Sequence, residues 1–386
     1  MPVKKLKNEI LKLCLFLNFI ASIYIPCLGH YVENISIIYF EISLATFFVI
    51  SIIQGKYKIT GFLKYVVFYY GILMISSIIN NGELLLLLFE FGVSGLSFLI
   101  WNSLDKKQVL KYISIPTLVF EILTYLNLLI VIMYPDGLYH VSTVRNYYLF
   151  DHVNVAIRYL LPGSCLILLN SYIRKNKVTL RAIIYISTVI LTLILTKPVT
   201  AIIGYALFLL LLVILPKKMN FIKIFSPLKS FIYAGTLSFL IIVVNIQEYF
   251  ANFIINILHK DVTFTGRTDI WNEALFYLKN NFIFGLGRLQ SEKRTMMLGA
   301  SSAHNQFLNF MFEGGIVLLG YIFIAIYCFS KRLLSCKNRK IIILFSATMF
   351  SYAFMWISEP FSYSGTFAMF FLWMLMYRAK ELFSEE

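Results

Sequence analysis

Charge is scarce in this chain: only 14% of its 386 residues are Asp, Glu, Lys or Arg and 59% are hydrophobic, against about 25% and 45–50% in a soluble domain. That balance excludes a water-soluble fold. Cysteine is scarce too. Cys14, Cys27, Cys165, Cys328 and Cys336 form no CxxC pair and most lie in apolar runs, so neither a disulfide framework nor a metal site is expected. Acidic residues number 19 against 34 basic ones, a formal charge of +15. Nucleic acid as a partner would need a concentrated basic face, whereas Lys and Arg here come in small groups between apolar runs. The basic start and the apolar run from Leu11 lack a small-x-small cleavage site at Ile25-Pro26-Cys27, so an uncleaved first helix is expected.

What the chain has in abundance is long apolar runs. They predict spans near 11–29, 35–53, 62–79, 84–101, 112–134, 155–173, 182–196, 200–215, 230–247, 306–329, 341–357 and 366–378. Hydrocarbon offers backbone amides no partner, and runs without period-two alternation do not suit a barrel, so the spans must be helices. The expectation is an all-α integral membrane protein of about twelve transmembrane helices. Residues 1–386 form a single polytopic domain, with a smaller extracytoplasmic loop at 135–154 and a large one at 248–305. The spans at 182–196 and 366–378 are short, so they tilt, share residues with their loops, or partly re-enter.

With the N-terminus inside, 25 of the 34 basic residues fall on the cytoplasmic side and eight outside, with Arg158 left in a span. This asymmetry predicts both termini in the cytoplasm. All five histidines then face outward, and His304 is the one to which chemistry is assigned. Within the spans stand Glu41, Glu90, Glu121, Arg158 and Glu313, each costing at least about 2.5 kcal/mol unless paired or facing water. Either a polar vestibule opening outward or interhelical pairing, for instance of Arg158 with a glutamate, answers that cost. Glu121, deeper and alone, reads as structural or protonated.

In the large loop, Ile270, Trp271, Ala274, Leu275 and Leu278 recur at helical spacing behind Thr268-Asp269 as N-cap. The expectation is an amphipathic helix lying on the membrane's outer surface, ended by Gly285-Leu286-Gly287. Arg267 precedes it, and Ala303-His304-Asn305 and Glu313-Gly314-Gly315 follow. A guanidinium fork suits phosphate oxygens and a neutral imidazole can take a proton from an attacking hydroxyl. Arg267 and His304 therefore read as a site for a phosphate leaving group and an alcohol nucleophile.

These residues resemble the O-antigen ligase and Wzy-type polysaccharide polymerase superfamily of polytopic membrane glycosyltransferases, whose fold is GT-C-like. Gly266-Arg267 with Trp271, Gly285-x-Gly287, His304-Asn305-x-x-Leu308 and Glu313-x-Gly315 match its large-loop pattern. Arg145, Phe150, Asn154 and Ala156 look like its Arg-x-x-Gly-x-Phe-x-x-Pro-Asn stretch, with Tyr148 where a Gly is usual and Val153 where a Pro is usual. Phe282 replaces the Pro commonly found before the GxG turn, and Thr196-Lys197-Pro198 stands where members often carry Ser-Arg-Gly.

The resemblance implies transfer of a glycan from an undecaprenyl diphosphate-linked donor to an acceptor sugar hydroxyl, on the outer face of the bacterial cytoplasmic membrane. It implies no cofactor, and with no Asp-x-Asp motif in the chain the outer Arg and Lys must neutralise the diphosphate. Arg267 leads as its ligand, with Arg145, Lys197 and Arg288 behind it. His304 is the base, and Asn305, Glu313, Asn154 and Arg158 support. Membrane lipids, a flippase and a chain-length regulator are the partners implied. The activity read first is an inverting polymerase of lipid-linked repeats. A ligase acting on lipid A core or protein is the runner-up, and a flippase or transporter for the same glycan is the reading from another class.

Overall fold

The computed structural model describes residues 3–55, 61–140, 146–217, 219–249, 266–361 and 366–384. Each of the twelve apolar runs lies on a helix. The first is divided between Val3–Ile23 and Pro26–Tyr31, because Pro26 can begin a helix but not continue one. Ile35–Gln54, Gly61–Ile79, Leu84–Ser103 and Ser114–Met133 follow, the last preceded by Lys106–Tyr112 behind an Asp105–Gln108 capping box. The second half comprises Ile157–Lys175, Leu180–Thr196, Val199–Ile214, Pro227–Ile242, Gln306–Leu334, Arg339–Trp356 and Thr366–Tyr377.

Among the described residues five helices are long and apolar enough to cross a membrane, and four shorter ones are apolar. This is the architecture of a multi-pass membrane protein. Among the described residues, the loop at 135–154 departs from an all-helical chain by a two-stranded hairpin, Tyr147 opposite His152 and Tyr148 opposite Asp151.

Burial sorts the helices. Ile157–Lys175 is buried continuously from Ile157 to Ser171, and Thr366–Tyr377 from Phe367 to Met376. These two pack against each other, with Arg339–Trp356 on the first and Gln306–Leu334 on the second. Being surrounded by protein, Ile157–Lys175 can carry Arg158, Ser164 and Asn170 where a lipid-facing helix could not. The outer helices expose Ile52, Phe48, Leu85, Leu180 and Val199, an apolar shell that water would penalise and hydrocarbon would not. One buried cluster fills most of the bundle, and a second, smaller one lies under the large loop.

The helix Gln306–Leu334 is broken at Gly315, which has φ 65° and ψ −165°. Residues 282–287 of the large loop fill the break. Leu286 and Gly287 donate their N–H groups to the Phe312 and Glu313 carbonyls at 2.7 and 2.9 Å, and Ile316 and Val317 donate to those of Phe282 and Ile283 at 2.9 and 3.3 Å. The approach is so close that a Cβ on Gly315 would stand 2.0 Å from the Ile283 carbonyl oxygen. Gly285 and Gly287 thus make more than a helix stop: they let the loop backbone lie against the broken helix.

Candidate active site

The predicted loop helix is present as Arg267–Leu278, but its N-cap is Gly266, at φ 79°, and not Thr268. Thr268 and Asp269 fall inside the first turn, where the acidic side chain still meets the positive end of the helix. The apolar stripe of Trp271, Ala274 and Leu278 is buried against Leu289, Leu298, Leu308 and Phe312. The stripe expected to lie on the membrane surface is covered by the protein's own loop and by the helix that follows it.

That packing sets the two residues singled out by sequence. Trp271, one turn after Arg267, donates its indole N–H to the Ala303 carbonyl at 3.0 Å, which fixes the residue next to His304. His304 is half-buried, with φ 47°. Asn305 is the N-cap of Gln306–Leu334, accepting from the Leu308 N–H at 3.0 Å, and donates to Ser238 Oγ at 2.9 Å and to the Ile357 carbonyl at 2.8 Å. The Gln306 side chain accepts from the Phe361 N–H. Residues 303–306 are therefore stitched to 357–361.

The second of these segments carries Glu359, which organises the cluster. Arg267 Nη2 donates to Glu359 Oε1 at 2.9 Å and Asn154 Nδ2 donates to the same oxygen at 3.4 Å. Asn154 is set by its own N–H, which donates to His152 Nδ1 at 3.2 Å. The Arg158 guanidinium lies over the Phe361 ring, 5.6 Å from its centre, and interacts electrostatically with both Glu359 and Asp151. Thr200, three residues after Lys197, pairs its hydroxyl with that of Ser358 at 3.3 Å. Lys197 itself is exposed at the left-handed C-cap of Leu180–Thr196.

The fold thus brings Arg267, Asn154 and Arg158 together around one carboxylate, with the His304 segment tied alongside. The side chain of Arg267 is 23% accessible, so part of its fork stays open to solvent while Glu359 holds it in place. Arg145 lies outside the described residues.

Arg288 and Glu313 belong to a different cluster. The Arg288 guanidinium bonds Glu90 and reaches Glu313 at 3.4 Å, and Arg294 reaches the same Glu313 oxygen at 3.3 Å. Asn309 donates to that oxygen at 3.2 Å. Arg288, Arg294 and Glu313 are almost completely buried. Burial pushes Arg294 down to about 10, opposed by the Glu313 charge, so it stays protonated at neutral pH. Burial pulls Arg288 the same way, but the Glu90 and Glu313 charges outweigh it and its pKa rises. This arrangement holds the large loop to the helices, and Glu90 and Glu313 are paired with arginines of that loop rather than span to span.

Glu121, expected to stand alone, takes both ends of the Arg181 fork. Two residues of these clusters escaped the sequence reading. Glu359 lies between the helices Arg339–Trp356 and Thr366–Tyr377, and the signal available is an acidic residue followed by proline in a short connection. In the sequence Arg294 is one of the eight basic residues expected outside; its spacing three residues before Met297-Leu298, on a short helix, is the hint that it points inward.

The chain matches no curated protein and no solved structure. One family model does match, over the stretch that holds Lys197, Arg267, Arg288, His304, Asn305 and Glu313: residues 184–323 are similar to the Wzy_C family, described as O-antigen ligase.

Proposed function

We propose that the chain transfers a glycan from a polyprenyl diphosphate donor to a sugar hydroxyl, and that the acceptor is the end sugar of a second lipid-linked repeat. The observation that carries this reading is the Arg267–Glu359 ion pair inside a ring of polar groups, with Arg267 and His304 both within the matched domain. In the proposed mechanism Arg267, held by Glu359, receives the diphosphate as charge develops on it, the role that oriented guanidinium groups fill well. His304 accepts the proton of the attacking hydroxyl. The hydroxyl oxygen forms the new bond at the anomeric carbon as the bond to the diphosphate breaks, which inverts that centre.

The site is assigned to the extracytoplasmic face, with twelve crossings and both termini in the cytoplasm, on the strength of the basic-residue asymmetry. The test is the purified protein in lipid nanodiscs supplied with defined undecaprenyl diphosphate-linked repeats. Longer lipid-linked chains are expected, and their absence with donor bound would overturn the polymerase assignment. The family description, O-antigen ligase, favours a second reading, in which the acceptor is lipid A core. Product on added core with none on lipid-linked repeats would establish it.

A further inference from the structure

A cavity of about 430 Å³ opens among Val3–Ile23, Ile35–Gln54, Gly61–Ile79 and Leu84–Ser103, at the end of the bundle that carries Asp151 and Arg288. We propose that this cavity is a saccharide subsite, holding the acceptor sugar of the transfer proposed above, on which this assignment rests.

The volume falls within the roughly 300–1,000 Å³ of small-molecule sites. Its walls combine four tyrosines, Tyr24, Tyr39, Tyr69 and Tyr70, with the carboxylates of Glu90 and Asp151. A pyranose has an apolar C–H face and a rim of hydroxyls. Tyrosine rings give the first a flat surface, and carboxylates accept from two hydroxyls at once.

The other occupants suit the walls less well. An acyl chain would leave the Glu90 and Asp151 carboxylates without replacement for water. A phosphate would meet two carboxylates, and the one cation among the described lining residues, Arg288, already bonds Glu90 and reaches Glu313. The lining therefore favours a neutral or amino sugar.

Two further observations point the same way. Tyr24 and Asp151, both lining residues, have left-handed backbone with φ 54° and 79°. Such strain in a side-chain-bearing residue persists where the surroundings fix it, often at ligand clamps. Asp151 also interacts with Arg158, which interacts with Glu359. Arg158 is thus within electrostatic reach of both the cavity wall and the carboxylate that holds Arg267.

The experiment is saturation-transfer NMR on the full chain in nanodiscs, with a panel of simple methyl glycosides including N-acetylhexosaminides. Binding of undecaprenyl diphosphate to wild type and Arg267→Ala is measured in parallel. Transfer to at least one glycoside is expected in wild type and should be lost in Val93→Trp, which fills the cavity, with lipid diphosphate binding retained. Ser36→Trp repeats the test at another lining residue should Val93→Trp fail to fold. No transfer from wild type, or equal transfer from folded Val93→Trp and Ser36→Trp, overturns the subsite. Release of a bound phospholipid by the filling variants overturns it in favour of an acyl occupant. Lipid diphosphate binding that is absent, or unchanged in Arg267→Ala, instead sinks the donor site and leaves the saccharide result standing.

Discussion

The backbone N–H of Ile316 donates to the carbonyl of Phe282 at 2.9 Å, where an unbroken helix would send it to Phe312. Phe312 accepts from Leu286 instead, and the neighbouring pair exchanges likewise, Val317 to Ile283 and Gly287 to Glu313. The loop stands in for one turn of helix and leaves none of these four groups without a partner. Gly315→Ala, which adds a Cβ to a left-handed residue 2.0 Å from a carbonyl oxygen, should cost more than about 3 kcal/mol. Thermal unfolding in detergent checks this, with Gly320→Ala, which meets nothing within 4 Å, as the variant that keeps the wild-type midpoint.

Glu313 is the shared partner of Arg288 and Arg294. Glu313→Ala should destabilise by about 3–5 kcal/mol, because it strands buried positive charge. A midpoint equal to wild type would show that the cluster does not secure the loop.

Removing the Glu359 charge tests positioning. Glu359→Gln should lower turnover by about 10²-fold while unfolding near the wild-type temperature, since Arg267 remains partly in water. Arg267→Lys keeps the charge but not the fork and should lose a comparable factor. Donor binding and single-turnover rates separate the two effects; unchanged rates in both variants would remove this pair from the site.

His304→Ala should slow the transfer by about 10² to 10⁴, with normal membrane levels. Rates measured across about pH 5 to 9 carry the sharper information, because the wild-type acid limb is set by the proposed base. A variant with the wild-type rate and profile would leave His304 with no more than a place beside the Asn305 cap.

Asp151 lies in the 147–152 hairpin, and burial raises its carboxyl above the usual range, with the His152 N–H and the Arg158 charge pulling the other way. A carboxyl whose folded pKa is raised stabilises the fold below its unfolded value and loses that contribution as pH rises through the folded value. Asp151→Asn keeps a side-chain oxygen for the His152 N–H and tolerates φ 79°. The variant should match wild type at low pH and exceed it increasingly as pH climbs past the carboxylate range. Parallel unfolding curves across about pH 3 to 7 would contradict the burial penalty.

The helices were legible because each presents a run that only lipid or protein can cover, and Arg267, Trp271 and His304 because their spacing is local. What could not be read is whatever depends on two distant segments meeting. Glu359 is unremarkable until 357–361 is stitched to 303–306, and Arg294 counts as an outer charge until Glu313 is seen above it. The Glu313-x-Gly315 spacing is visible in the sequence, yet the break it permits exists only because 282–287 supplies the missing bonds. The apolar stripe of Arg267–Leu278 fits a membrane surface and a protein surface equally, and periodicity cannot choose between them.

The division of Gln306–Leu334 at Gly315 also has an electrostatic result. Peptide dipoles aligned along a helix leave it positive at its start and negative at its end, and the break gives the segment from Gln306 to Gly314 poles of its own. Its negative pole meets the Leu286 and Gly287 N–H groups, with Arg288 and Arg294 on the Glu313 side chain beside it. Its positive pole lies at Asn305 and Gln306, buried and tied to the Glu359 segment, so that segment sits against a partial charge that no side-chain substitution in the cluster would remove.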